Sequence, residues 1–400
     1  MPVPLLDISR GNNPLKAEIM AAFEKVVDSG RFLFGPDVFQ LEESMAEICQ
    51  AKFGIGCASG SDALLLSLMA FDIGPGDEVI VPSFTFFATA SAVTRLGATP
   101  VFVDIEPETF NLDASLIEAA ITPNTKAIIP VHLFGQCADI TEIIAIADTH
   151  NLKVIEDAAQ SIFSEHQGQR ACSQGDIGCV SFYPTKNLGG MGDGGMLVTS
   201  DEALADKLKL LRGHGMAPRY YHQIIGINSR LDTLQAAALN VKLAHMPRWT
   251  SMRQANAARY HEMFAECGLD TVLGLPKTAP GKTHIWNQYT VRVPNGQRDA
   301  LKQHLADKQI GSEIYYPVPL HQQECFAYLN VDSSTLPETE QAAAEVLNLP
   351  IFPELTEQEQ RRVVDTVACF PGFQQTTIHS THTLKGPHFL RRQQEQRKSA

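Results

Sequence analysis

Two short segments of this 400-residue chain carry residue types that could do covalent chemistry. The first is Ser181-Phe-Tyr-Pro-Thr-Lys186-Asn-Leu-Gly-Gly-Met-Gly-Asp-Gly-Gly195, a lysine between an apolar run and a glycine-rich turn. A lysine at the mouth of a cleft is partly desolvated, which lowers its pKa and leaves a neutral amine to attack a carbonyl. The second is Val154-Ile-Glu-Asp157-Ala-Ala-Gln160-Ser161, where an apolar run ends in a carboxylate. A Schiff-base lysine and an acid that keeps a pyridine nitrogen protonated are the two fixed requirements of pyridoxal phosphate (PLP) chemistry. The bland alternatives are a solvated loop lysine and a helix-capping aspartate. The strand that brings Ser181 and the glycines that permit close backbone approach favour the reactive reading of Lys186.

Other segments supply what such a site would need. Ala58-Ser-Gly60-Ser61-Asp62-Ala63 lies between an expected strand and an expected helix, where free N–H groups and the Ser61 hydroxyl make a phosphate cradle. Simple N-capping by Ser61 is the plainer reading, and the two are compatible. Phe86, in Pro82-Ser-Phe-Thr-Phe86, could stack on a planar ring, although core packing accounts for most aromatics. Gln160 could reach a phenolic oxygen. Asn228 could cap a helix, Arg230 could hold an anion, and His321 reads equally well as structural. Gly190-Met-Gly192-Asp-Gly-Gly195 satisfies G-x-G-x-x-G, but it runs into a strand instead of opening a helix, so a dinucleotide site is rejected. A Walker phosphate loop fails as well, because Lys186 precedes the glycines.

The elements that must position these groups alternate from about residue 54. Short apolar strands (78–82, 99–104, 126–132, 153–157, 180–183 and 195–199) are separated by helical patterns at 61–71, 85–96, 113–121 and 140–150. Such a series makes an α/β fold with a mainly parallel sheet covered by helices on both faces. Ligands then bind beyond the carboxyl ends of strands, where Asp157, Ser181 and Lys186 fall. Helices are expected at 229–243 and 250–267, followed by a smaller α+β region with strands at 287–293 and 312–316 and helices at 298–308 and 338–347. The expected division is an N-terminal arm and first helix (1–30), a large PLP-binding domain (31–248), a small C-terminal domain (249–375) and a flexible basic tail (376–400).

Composition sets outer bounds. Hydrophobic residues at 44% and charged residues at 19% suit a soluble globular enzyme of two domains. A net charge of -13 argues against a nucleic-acid partner. The start, Met-Pro-Val-Pro-Leu-Leu-Asp, has no signal-peptide pattern, and no apolar run is long enough for a membrane span. Eight cysteines without a C-x-x-C pair read as free thiols in a reducing cytoplasm, with no metal site.

Taken together, the ordered motifs resemble the DegT/DnrJ/EryC1/StrS sugar aminotransferases, which have the aspartate-aminotransferase-like fold of PLP enzymes. The resemblance spans about residues 3–372. It rests on the segments around Gly60, Phe86, Asp157 and Lys186, with Val131-His-Leu-Phe-Gly-Gln136, Asn228-Ser-Arg230 and Pro319-Leu-His321. It implies a large domain with a seven-stranded sheet. Lys186 would be the Schiff-base lysine and the acid/base, Asp157 the partner of the pyridine nitrogen, and Gln160 the phenolic-oxygen contact. Gly60, Ser61 and Ser181 would bind the phosphate and Phe86 would stack on the ring. Asn228 would reach the phosphate of a neighbouring subunit in a homodimer. Arg230, Tyr316 and His321 are the expected substrate contacts. The implied reaction moves an amino group from L-glutamate to a nucleotide-linked keto-sugar for amino-sugar or polysaccharide biosynthesis, with pyridoxamine phosphate as the intermediate form. Sequence style around 315–321 favours C3 ketones of UDP- or dTDP-sugars. A C4 or cyclitol aminotransferase is the alternative, and a non-enzymatic regulator a more distant one.

Overall fold

A computed structural model describes residues 2–374, so the 376–400 tail lies outside the described residues. Seven strands form the central sheet: β1 (Phe53–Cys57), β2 (Glu78–Pro82), β3 (Thr99–Val103), β4 (Thr125–Ile128), β5 (Lys153–Asp157), β6 (Ile177–Ser181) and β7 (Gly195–Thr199). Their order is β1-β7-β6-β5-β4-β2-β3, and only β7 runs against its neighbours. Around them lie α1 (Lys16–Ser29), α2 (Pro36–Ile48), α3 (Gly60–Ala70), α4 (Ala88–Arg95), α5 (Ile140–His150), α6 (Glu202–Leu211) and α7 (Thr233–Leu243).

Period-two alternation explains why both sheet faces are covered. Val79, Val81, Ile155, Cys179 and Leu197 enter a core with Leu64, Leu66 and Leu68 of α3, Val93 of α4 and Leu208 of α6. Their strand neighbours point the other way. Val180, Met196 and Val198 meet Leu41 of α2 and Leu239 of α7, while Ile80 and Val154 meet Ile143 of α5. Each such side chain contributes roughly 1.5–3 kcal/mol on leaving water. These strands read as continuous apolar runs because neither face is wet.

A second core follows α8 (Met246–Glu266). It is built with β8 (Tyr289–Arg292), α9 (Arg298–Asp307), α10 (Pro337–Glu345), β9 (Val346–Leu349) and α11 (Glu357–Ala368). β8 and β9 pair antiparallel, and Tyr260, Phe264, Val291, Leu301, Leu347 and Val363 pack beneath them. Val3 joins this core, its N–H donating to Gln309 O at 2.9 Å. Arg10 then grips both oxygens of Glu359 at 2.9 and 2.7 Å, so the start of the chain is stitched to α11. Asp104, just beyond β3, ties the two cores together. Its carboxylate accepts from Glu338 N and Thr339 N at 2.9 and 2.8 Å, capping the free amides of α10.

Several expected elements differ: the helix expected at 338–347 stops at Glu345, where Val346–Leu349 forms β9, and the strand expected at 126–132 stops at Ile128. α7 begins at Thr233 instead of 229, because Asn228 and Asp232 are held extended in bridges to Gly213 and Leu33. Segment 312–316 keeps one bridge, Glu313 to Asn348, and forms no strand. Pro317 and Pro319 follow and cannot donate to a ladder. The helix expected at 113–121 is broken into a 3-10 turn, Ala114–Leu116, and one α turn, Ile117–Ala120.

Candidate active site

The ends of β1, β5, β6 and the start of β7 converge on one place. Ser59, not Ser61, caps α3: its hydroxyl accepts from Asp62 N at 3.1 Å. Ser61 therefore sits in the first helical turn, and its hydroxyl has no hydrogen-bond partner among the described residues. First-turn amides such as those of Gly60 and Ser61 have no intrahelical acceptor. Gly60 packs so closely on β6 that an added Cβ would lie 2.7 Å from Ser181 Cβ. A Cβ on Gly195 would fall 2.4 Å from the Ser59 carbonyl. The glycines thus let a helix N-terminus and the Ser181 hydroxyl share one concave, donor-rich surface, which is what a phosphate requires.

Lys186 follows β6 by five residues and is half-buried. Burial pushes its amine down to about 8, against an opposing pull from the Asp157 carboxylate. Asp157 is buried at the end of β5, and burial raises its pKa. Hydrogen bonds from Ala159 N (3.1 Å) and the Thr89 hydroxyl (3.0 Å), together with the charge of Lys186, work in the other direction. The backbone behind it is anchored as well: His132 N donates to Asp157 O at 2.9 Å. The His132 ring accepts from Ala138 N at Nδ1 and therefore donates through Nε2 to Glu156 at 2.8 Å.

Gln160 is oriented by chemistry. Its Oε1 accepts from Phe134 N at 2.9 Å, which fixes the amide and turns Nε2 to the Tyr316 hydroxyl at 3.1 Å. Burial raises the pKa of that phenol, and the Asp157 charge adds to the effect. Tyr316 packs against Phe86, ring centroids 6.4 Å apart, and Phe86 remains 55% exposed beyond the end of β2. An exposed phenylalanine just past a strand end is suited to a planar ligand. His321, an expected substrate contact, is engaged within the protein. Nδ1 meets the Ser83 hydroxyl at 2.7 Å and Nε2 meets Glu340 at 2.8 Å, so it anchors its loop and is not free for substrate.

Asn228 is exposed, whereas its neighbour Ser229 is fully buried. The Ser229 hydroxyl donates to Asp62 at 2.8 Å and accepts from Ala58 N at 3.1 Å, tying the segment to the cradle helix. Among the described residues, no hydrogen bond joins Asn228 or Arg230 to Lys186, Asp157 or Ser181. Arg230 Nε is buried without a partner among them, an unspent donor suited to an anion. Sequence reasoning missed Thr89, Ser229 and the Gln160–Tyr316 contact. A threonine in the first turn of α4, facing the sheet, was the available signal for Thr89; the others depend on distant segments meeting.

The arrangement fits PLP: an amine near neutrality, a buried carboxylate facing it, an exposed aromatic, and unspent phosphate donors. A sequence model of the DegT/DnrJ/EryC1/StrS aminotransferase family matches residues 13–368. The pleiotropic regulatory protein of Geobacillus stearothermophilus is 50% identical over 92% of this chain and 99% of its own length. A UDP-N-acetyl-3-dehydro-alpha-D-glucosamine 3-aminotransferase of Acidithiobacillus ferrooxidans is 46% identical, covering 91% of this chain and 97% of that one. The solved structure of S. venezuelae DesV in complex with a ketimine intermediate is similar with a TM-score of 0.88. It is 43% identical and covers 92% of this chain and 98% of that one.

Proposed function

The chain belongs to the DegT/DnrJ/EryC1/StrS aminotransferase family; from that premise we propose that it moves an amino group from L-glutamate to the C3 ketone of a UDP- or dTDP-linked sugar. It is a PLP-dependent nucleotide-sugar aminotransferase. The observation that carries the reading is the meeting of Lys186, Asp157, Ser181 and the Gly60–Ser61 amides beyond the ends of β5, β6 and β1.

Bound PLP supplies an electrophilic carbon and a ring that accepts electrons. Gly60, Ser61 and Ser181 would hold its phosphate, Asp157 its ring nitrogen, Gln160 its phenolic oxygen, and Phe86 one face. Asp157 would favour the protonated form of that nitrogen, because a buried carboxylate favours a charged partner. Lys186 Nζ, with its pKa near 8, holds a proton at one moment and releases it the next. Removing a proton from the donor's α-carbon, and in the separate second half delivering one to the acceptor's carbon, each need a group of that kind. Arg230 and Tyr316 are left to bind substrate. The intact set of Lys186, Asp157 and Ser181 supports catalysis over a purely regulatory role.

A homodimer with shared sites is supported by Asn228, which lies exposed on a segment anchored by Ser229. Tyr220 and Ile225, 75% and 91% exposed, add apolar surface beside it that suits a second copy. A reducing, cytoplasmic setting is supported by eight free thiols, five of them buried. No helix among the described residues is long and apolar enough to cross a membrane.

A panel of 3-keto and 4-keto UDP- and dTDP-sugars, assayed with glutamate, tests the proposal. The 3-keto sugars should turn over with kcat/KM roughly a hundredfold or more above the 4-keto sugars, a difference of about 2.7 kcal/mol in transition-state binding. Preference for a 4-keto sugar, or no bleaching of the yellow protein by glutamate, would sink it.

A further inference from the structure

The glycine run that imitates a dinucleotide fingerprint has a different occupant. Two side chains of α7, Gln235 and Lys242, are seven residues apart and so lie on one face of the helix, two turns from each other. Gln235 Oε1 accepts from Met191 N at 2.8 Å. A Cβ added to Gly190 would lie 2.9 Å from that oxygen, and one on Gly192 would lie 3.1 Å from Gln235 Nε2. Lys242 donates from Nζ to the carbonyl of Gly189. Gly189 itself is pressed onto Pro184 O, 2.2 Å from where its Cβ would be. Two backbone bonds close the same loop: Lys186 N to Tyr183 O at 2.8 Å and Gly190 N to Phe182 O at 2.7 Å. On the far flank Asn187 is caught by the Asn287 side chain and by Ile285 O.

Lys242 is otherwise hard to account for. It is 4% exposed, and among the described residues it has no carboxylate within ion-pair range. Burial alone holds its amine down to about 8. An apolar residue there would cost less, since a buried cation is expensive when unpaired. The Lys242 and Lys186 side chains line one small cavity of about 50 Å³. The glycines, the buried cation and the side-chain amide therefore serve one loop.

We propose that Gln235 and Lys242 are the positioning residues for Lys186: one helix face grips the loop behind it at Met191 and Gly189 and fixes where its amine is presented. The proposal rests on Lys186 being the PLP-binding lysine. Neither residue touches the reacting atoms; each acts through the loop.

The test compares Lys242→Met, Gln235→Met and Gln235→Glu in the full-length protein. Glutamate keeps the acceptor that Met191 N requires, and methionine removes it at similar size. The readouts are the rate at which PLP-free protein turns yellow with added PLP, and kcat against KM for the keto-sugar. Both methionine variants should colour more slowly and lose kcat by roughly 10–100-fold, the scale of a misplacement of about 1 Å, with KM within about twofold. Gln235→Glu should return to within about threefold of wild type on the same scale. Methionine variants that colour at the wild-type rate, or a Gln235→Glu protein as slow as Gln235→Met, would overturn the proposal. If Lys242→Met does not fold, the Gln235 pair decides alone. A wild-type protein that never colours defeats the PLP reading and this proposal together, whereas a coloured wild type with unaffected variants defeats only the latter.

Discussion

Lys186→Ala is expected to abolish amino transfer, lowering kcat by roughly 10⁴-fold or more, because in the proposed function one side chain performs both carbonyl capture and proton transfer. The size follows from the site. Lys186 is held at the edge of burial, where its amine falls to about 8 while Asp157 pulls the other way. Below that value most of the amine is protonated and cannot attack. Above it the neutral form dominates. The rate at which PLP-free protein turns yellow should therefore rise as pH increases through about 8 and then level off. Initial rates of the alanine variant, with colour development of wild type across a pH series, check both parts. Turnover by the alanine variant within about a hundredfold of wild type would be too fast for a protein that has lost its acid/base.

Asp157→Asn carries the second large effect, a fall in kcat of roughly 10²–10⁴-fold. Asparagine keeps the shape: its single oxygen can accept from Ala159 N, which holds native Oδ1 at 3.1 Å, while its NH2 group would donate to the Thr89 oxygen that now donates to Oδ2 at 3.0 Å. What it cannot supply is the negative charge. Without that charge the ring nitrogen of bound PLP loses its proton more easily, and the ring withdraws fewer electrons. The fold should persist, since Asp157 makes no salt bridge among the described residues. Steady-state kinetics beside a thermal melt separate the two contributions. A variant with unchanged melting and near-native kcat would show that Asp157 has no electronic role.

The candidate reactive residues were legible because they sit where chain pattern changes. Asp157 ends one apolar strand and Lys186 lies five residues beyond the end of another, and sheets of this type put ligands at those ends. The Gly60–Ser61 turn was legible for the same reason, although local pattern alone could not tell that Ser59 takes the cap. Hidden features depend on segments far apart in sequence. Gln160 meets Tyr316 across 156 positions, and Lys242 meets Gly189 across 53. His321 shows the converse. Its neighbourhood in sequence suggested a substrate contact, but Ser83 and Glu340 from other segments occupy both ring nitrogens. Fold errors have the same origin: the segment before Thr233 has helix-compatible residues, yet tertiary bridges hold it extended.

Two lysines near this loop, Lys186 and Lys242, are both held near 8 by burial, but only Lys186 feels the pull of Asp157. Where PLP attaches therefore decides the matter. The measurement is borohydride reduction of the yellow protein followed by mass mapping of the modified peptide. The label should fall on the peptide containing Lys186 and on no other. Label on Lys242, or a yellow protein that yields no labelled lysine, would contradict the assignment of Lys186 as the residue that does the chemistry.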